Sequence, residues 1–183
     1  MIKFILFLFG LFCFITYVTG QSQDLASFIP ADYSILDSAS GDINKDGKKD
    51  LIVILKNNLE EINGETTRPL LILVSNEKGS YNLSGRNDSV VLCKACGGVF
   101  GDPYAGMTVK NNFFSIEHYG GSNWRWTRII TFRYDPKSKQ VLLHRDAGDS
   151  FHTSDPDKTT TSIYNKEDFG KLSFAGYSCH KGW

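Results

Sequence analysis

The stretch "GDINKDGKKDLIVIL", residues 41–55, places alternating oxygen-bearing residues directly ahead of an unbroken apolar run. Asp42, Asn44, Asp46 and Asp50 fall at positions 1, 3, 5 and 9 of a loop, with Gly47 at position 6 and the Lys48 carbonyl at position 7. A hard cation such as calcium takes about six to eight oxygens, and a loop offering alternate side-chain oxygens plus one carbonyl can wrap it. Carboxylates this close in sequence repel unless a cation neutralises them, so calcium binding and local folding are expected to be coupled. The competing reading is a solvated Asn-Gly-Lys turn that happens to be acidic. A helix-loop-helix calcium hand needs an acid at position 12, where this chain has Val53 inside "LIVIL". The loop therefore runs into a strand, and the metal is expected to lock a β-fold.

The rest of the chain agrees with a sheet protein. It has 183 residues, 41% hydrophobic and 13% aromatic, with 20 basic against 20 acidic side chains. That is enough for one core, and the balanced charge leaves no electrostatic footprint for nucleic acid. The runs "DLIVIL", "PLLILV", "SYNLSG" and "SVVLC" read as strands bounded by turn-forming clusters. "MTVKNNFFSIEHYGG" reads as a hairpin about Asn111-Asn112, and "RWTRIITFRYDPKSKQVLLHRD" as a second one turning at Asp135-Pro136. In the latter, Trp126, Arg128, Ile130, Phe132 and Tyr134 share the face expected to meet the core. "DLASFIP", residues 24–30, predicts one short helix capped by Asp24. The polar segment 147–166 predicts a long loop, and "KLSFAGYSC" a closing strand. The expected fold is a mainly β, single antiparallel domain, propeller-blade-like or a sandwich or meander, over residues 22–183.

Residues 1–20, "MIKFILFLFGLFCFITYVTG", have one early Lys, an apolar centre and a small-residue exit, the pattern of a secretory signal peptide. The mature protein is expected in the periplasm or outside the cell, with no membrane-spanning segment left after signal removal. In such a compartment Cys93 and Cys96 of "CKAC" can close a small loop, or either can pair with Cys179. A thiol redox pair is the functional alternative, opposed by Gly97-Gly98, which disfavour a following helix.

D-x-N-x-D-G-x-x-D-L followed by an apolar strand, a second strand and "NEKGSY" resembles the FG-GAP repeat, also called the VCBS repeat, of bacterial surface proteins and integrin-type propellers. The match covers residues 40–88. The resemblance implies calcium at Asp42, Asn44, Asp46 and Asp50. It departs from the family in showing a single loop, whereas a propeller needs at least four blades. Residues 96–135 resemble segments of uncharacterised secreted bacterial proteins and bring no known activity.

Three functions remain open. The first is a calcium-stabilised binding protein of the cell envelope, whose ligand is a glycan, a peptide or an envelope protein held by His118, Tyr119, Trp124, Arg125 and Trp126. The second is a hydrolase using His118 with a nearby acid, which requires at least two of Asp102, Glu117, His118 and His144 to share a pocket. The third is an envelope inhibitor or structural protein acting through an apolar interface. His118 shares its strand face with Phe114 and Ile116, so a hydrogen-bonded core histidine is the stronger reading for that residue.

Overall fold

The computed structural model describes residues 24–180, so the expected leader, residues 1–20, lies outside the described part. Two antiparallel meanders make the domain. The first sheet has the order β1 (Tyr33–Gly41), β2 (Asp50–Asn57), β3 (Arg68–Ser75) and β4 (Tyr81–Val91). The second has β5 (Tyr104–Lys110), β6 (Phe113–Gly121), β7 (Trp124–Asp135), β8 (Gln140–His152) and β9 (Asp155–Asn165). One four-residue helix, α1 (Lys166–Phe169), follows β9, its start closed by a reciprocal cap between Asn165 and Asp168.

Alternation along the strands builds two layers of core. Ile52, Ile54, Leu70, Ile72 and Val90 of the first sheet pack with Phe114, Ile116, Ile130, Phe132 and Leu143 of the second. Side chains of opposite parity, Val53, Leu55, Leu71 and Leu73, form a second cluster on the outer face of the first sheet. The segment at residues 25–33 covers that cluster with Leu25, Phe28, Ile29 and Tyr33. Both faces of β2 and β3 are therefore buried, which is why their sequences are continuous apolar runs. The predicted helix at 24–30 is a single 3₁₀ turn, Leu25–Phe28, and Asp24 does cap it, accepting from the Leu25 amide at 2.7 Å.

Three sequence expectations are corrected, and one strand, β1, was not foreseen. The polar stretch 147–166 is not a loop: it holds the second half of β8 and all of β9, a solvent-exposed edge strand. Its Thr residues suit extended backbone, and pairing with β8 supplies what hydrophobicity does not. "SYNLSG" and "SVVLC" are one strand, β4, interrupted only by register shifts against β3. β1, too polar to show an apolar run, is a strand through its pairing with β2. "KLSFAGYSC" is no strand: it has a 3₁₀ turn at Phe174–Gly176, and the Asn87 side-chain amide donates to the Phe174 and Tyr177 carbonyls. A side chain thus does there what a strand ladder would have done.

Both predicted hairpins form as expected. Asn111 takes the positive φ of 55° at the β5–β6 turn, and β7 turns into β8 through Pro136–Lys139. The inward set on β7 is the predicted one, with Ile130 and Phe132 fully buried.

Candidate functional site

The acidic loop connects β1 to β2 and leads straight into the strand, as its sequence requires. Asp42 accepts from the amides of Asp46 at 3.0 Å and Gly47 at 3.0 Å, Asn44 Oδ1 accepts from the Asp46 amide at 2.9 Å, and Asp46 accepts from the Lys48 amide at 2.9 Å. The Lys48 amide and the Asn44 side chain hold the Asp46 carboxyl below its usual range. Positive φ at Lys45 and Gly47 makes the tight wrap, and glycine accepts it at least steric cost. Asp50 behaves differently. It is fully buried, and its oxygens accept from the amides of Ile43 (2.9 Å), Asn44 (3.2 Å) and Ser75 (3.0 Å). Burial pushes its carboxyl up despite those three bonds. Asp50 is thus a bracket joining the loop to the end of β3.

Tested against calcium, the loop fits in part. Asp42, Asn44 and Asp46 each keep acceptor capacity beyond their single N–H bonds per oxygen, whereas Asp50 is turned to backbone. Among the described residues no group of three or more His, Cys, Asp or Glu side chains converges in a metal-holding cluster.

The residues 118–126 predicted to form one binding platform separate into three environments. His118 is 2% exposed, its Nε2 accepting the Leu92 amide at 3.2 Å. The proton of the neutral ring must therefore sit on Nδ1, which has no hydrogen-bond partner among the described residues. Burial, then the charges of Arg128 and Arg68, pushes the ring's pKa down to about 4.

Those two arginines belong to buried networks that sequence reasoning missed. Arg68, without solvent exposure, donates to Glu60 through Nε and Nη2 (both 3.0 Å) and to Asp102 through Nη1 and Nη2 (both 2.7 Å). Burial opposes the Asp102 charge, but the Arg68 guanidinium outweighs it and holds that carboxyl below the usual range. Arg128 grips Asp146 in a fork (2.9 and 2.7 Å) and donates to the Cys179 carbonyl at 2.7 Å. The Tyr177 hydroxyl also donates to Asp146, at 2.7 Å. Asp102 is thus occupied by Arg68, and the cleft that includes His144 is lined by residues such as Arg133, Lys166 and Lys171 rather than by Asp102, Glu117 or His118. A charged residue inside an otherwise apolar strand start, as Arg68 is before "PLLILV", is the signal that would have found the first network.

Tyr119, Trp124 and Arg125 lie at one end of the second sheet, Tyr119 and Arg125 on its outer face and Trp124, by strand alternation, on the face of Trp126. The Arg125 guanidinium sits 3.5 Å above the Phe100 ring, and Phe100 meets Tyr119 edge-on at 5.7 Å. Trp124 is 61% exposed and packs edge-on against His152 at 5.2 Å. A bridge between Gly98 and Gly121 and the Thr153 amide donating to the Asn123 carbonyl (2.8 Å) tie the 98–101 loop, the β6–β7 turn and the β8–β9 turn together. Val99, 83% exposed, stands beside Phe100. Phe100 and Val99, lodged among glycines in "GGVFG", were not singled out from the sequence.

Trp126, on the inner face, looks into a cleft of about 420 Å³ between β7–β9 and the segments holding Leu92, Cys96 and Cys179. Cys93 and Cys96 are joined as a disulfide, and Cys179 is a buried free thiol that burial pushes up to about 11. Of the pairings left open by the sequence, the local one is formed. No helix among the described residues is long and apolar enough to cross a membrane. No family model, curated protein or solved structure matches the chain.

Proposed function

We propose that the protein is a secreted, calcium-stabilised β-domain of the cell envelope that binds a protein or peptide partner through the aromatic end of its second sheet. The observation that carries this reading is the surface where Arg125 stacks on Phe100 and Phe100 meets Tyr119, with Val99 exposed beside them and their loop bridged to the end of β6. Trp, Tyr and Arg are the residues that dominate binding energy at protein interfaces, and rings held by neighbours lose little entropy on docking. Residues 97–101, 119–126 and 151–154 contain no acid, so the surface suits a partner presenting carboxylates beside apolar groups. His118 supports binding over hydrolysis, because a ring enclosed between two arginine networks and held neutral is poorly placed to exchange protons with a substrate.

The Cys93–Cys96 bond and the composition of residues 1–20 support an oxidising, extracytoplasmic location. Calcium is assigned to Asp42, Asn44, Asp46 and the Lys48 carbonyl, with Asp50 fixing the loop to β3; bound there, the ion would neutralise the loop's carboxylates. The test is affinity capture from an envelope extract of the producing cells, comparing the wild type with Phe100→Ser and Tyr119→Ala. Expected is a defined partner retained by the wild type and lost from both variants while their melting temperatures hold. The same proteins retained by all three would overturn the assignment of this surface.

A further inference from the structure

The cleft beside Trp126 has a composition unlike that of the aromatic end. Arg128 and Asp146 are its charged pair, and each neutralises the other through the two-bond fork, with Tyr177 adding a third bond to Asp146. Asp149 borders the cleft too, but its carboxylate accepts from Thr161 at 2.6 Å, and both residues are set by strand alternation on the opposite, outer face. An ionic ligand would therefore lose its hydration without gaining an uncompensated counter-charge. What remains is the Trp126 indole, the Tyr164 side chain and the hydroxyls of Ser150 and Ser162 on the inner face of β7, β8 and β9, and walls from Leu92, Cys96 and Cys179.

Two glycines hold this shape open. A side chain at Gly120 would lie 2.6 Å from the Trp126 indole, so the residue paired with Trp126 across the ladder must lack one for the ring to sit where it does. A Cβ at Gly148, on the cleft floor, would meet the Thr127 carbonyl oxygen at 2.0 Å. The Asp149 amide, next to it, donates to the Thr127 hydroxyl at 3.1 Å. The cavity thus rests on paired strands with its ring already seated, and its volume falls within the usual range for small-ligand sites, roughly 300 to 1,000 Å³.

We propose that this cleft binds an uncharged sugar residue of an oligosaccharide, with its apolar ring face on Trp126 and its hydroxyls on Ser150 and Ser162. A pyranose is amphipathic in the same sense as the cleft: C–H groups across one face, hydroxyls around the rim and no net charge. The assignment is independent of the partner surface at Val99–Arg125.

The test is saturation-transfer NMR and calorimetric titration of the intact protein with maltotriose, cellotriose and triacetylchitotriose, and with trigalacturonic acid and spermidine as charged controls. At least one neutral probe is expected to bind with a Kd near or below about 1 mM. Ser162→Tyr, at an exposed edge-strand position, fills the cleft and is expected to weaken that binding about tenfold or more with an unchanged melting temperature. Phe100→Ser leaves it unchanged, which separates this site from the aromatic end. The proposal is overturned if no neutral probe binds at that level, if a charged control binds more tightly than every neutral one, or if Ser162→Tyr binds as well as the wild type.

Discussion

Acidification from pH 7 to pH 4.5 should destabilise the domain through His118 alone by an amount large enough to isolate. In the unfolded chain this imidazole takes up its proton near 6.5, whereas in the folded protein burial and the flanking arginines delay that to about 4. The folded-state pKa is depressed, so the stabilisation is complete above 6.5 and is lost as the pH falls from there towards 4. Linkage gives a loss of about 0.2 kcal/mol at pH 7 and about 2.5 kcal/mol at pH 4.5, approaching about 3.4 kcal/mol at lower pH. His144, also depressed by burial and neighbouring arginines, contributes in the same direction, and Asp50, whose carboxyl is raised, in the opposite one. A comparison with His118→Gln removes both, since the variant retains them. Glutamine also keeps an acceptor for the Leu92 amide. Urea unfolding of the two proteins across this range should show the wild type losing about 2 kcal/mol more than the variant. Parallel pH profiles would refute the placement of a neutral His118 between Arg68 and Arg128.

Other perturbations read other parts of the structure. Arg68→Met leaves Glu60 buried without its partner and Asp102 without its fork, and should cost about 3–5 kcal/mol in denaturant unfolding; a change below about 1 kcal/mol would mean the network is not enclosed. If calcium fills the acidic loop at about a hundredfold above its Kd, chelation should remove about 2.7 kcal/mol, several degrees of melting temperature, and Asp46→Ala should abolish that response. Melts indifferent to calcium in both proteins would remove the metal from the account. The Cys93–Cys96 bond closes a short loop, sequence separation 3, so Cys93→Ser with Cys96→Ser should cost only about 2 kcal/mol on the chain-entropy model. Cys179, buried and with its thiol raised, should stay unreactive towards a thiol reagent until the protein unfolds. Gly148→Ala must move β8 off the Thr127 carbonyl and should destabilise by about 1–3 kcal/mol, which thermal unfolding would register.

Residues 50–57 and 68–75 declared themselves in the sequence because both faces of those strands are buried, leaving unbroken apolar runs. β6 and β7 were legible for a related reason: one core face and one wet face impose a period of two, and Ile130 and Phe132 fell on the face that is buried. The acidic loop was also local information, since its alternating oxygen-bearing residues and Gly47 lie within nine residues. β1 and β9 were not legible. They are edge strands whose hydrogen bonds come from β2 and β8, and little apolar burial is required of them. The segment at 171–179 misled in the opposite sense, because its apolar residues pack against the core while Asn87, nearly ninety residues earlier, takes its carbonyls.

The candidate site divides along the same line. Residue types near 118–126 marked an unusual region, and Tyr119 and Arg125 do share a surface, through Phe100. Only the tertiary structure decided that His118 belongs to the core between two arginine networks, that Phe100 and Val99 complete the exposed aromatic end, and that Trp126 looks into a separate cleft. Burial, charge pairing and cavity shape are properties of residues distant in the chain, and no short window of sequence contains them. By itself the sequence determined a β-domain entered through an acidic loop; which of its aromatic and charged side chains meet solvent, and which meet one another, was settled by how the two sheets close.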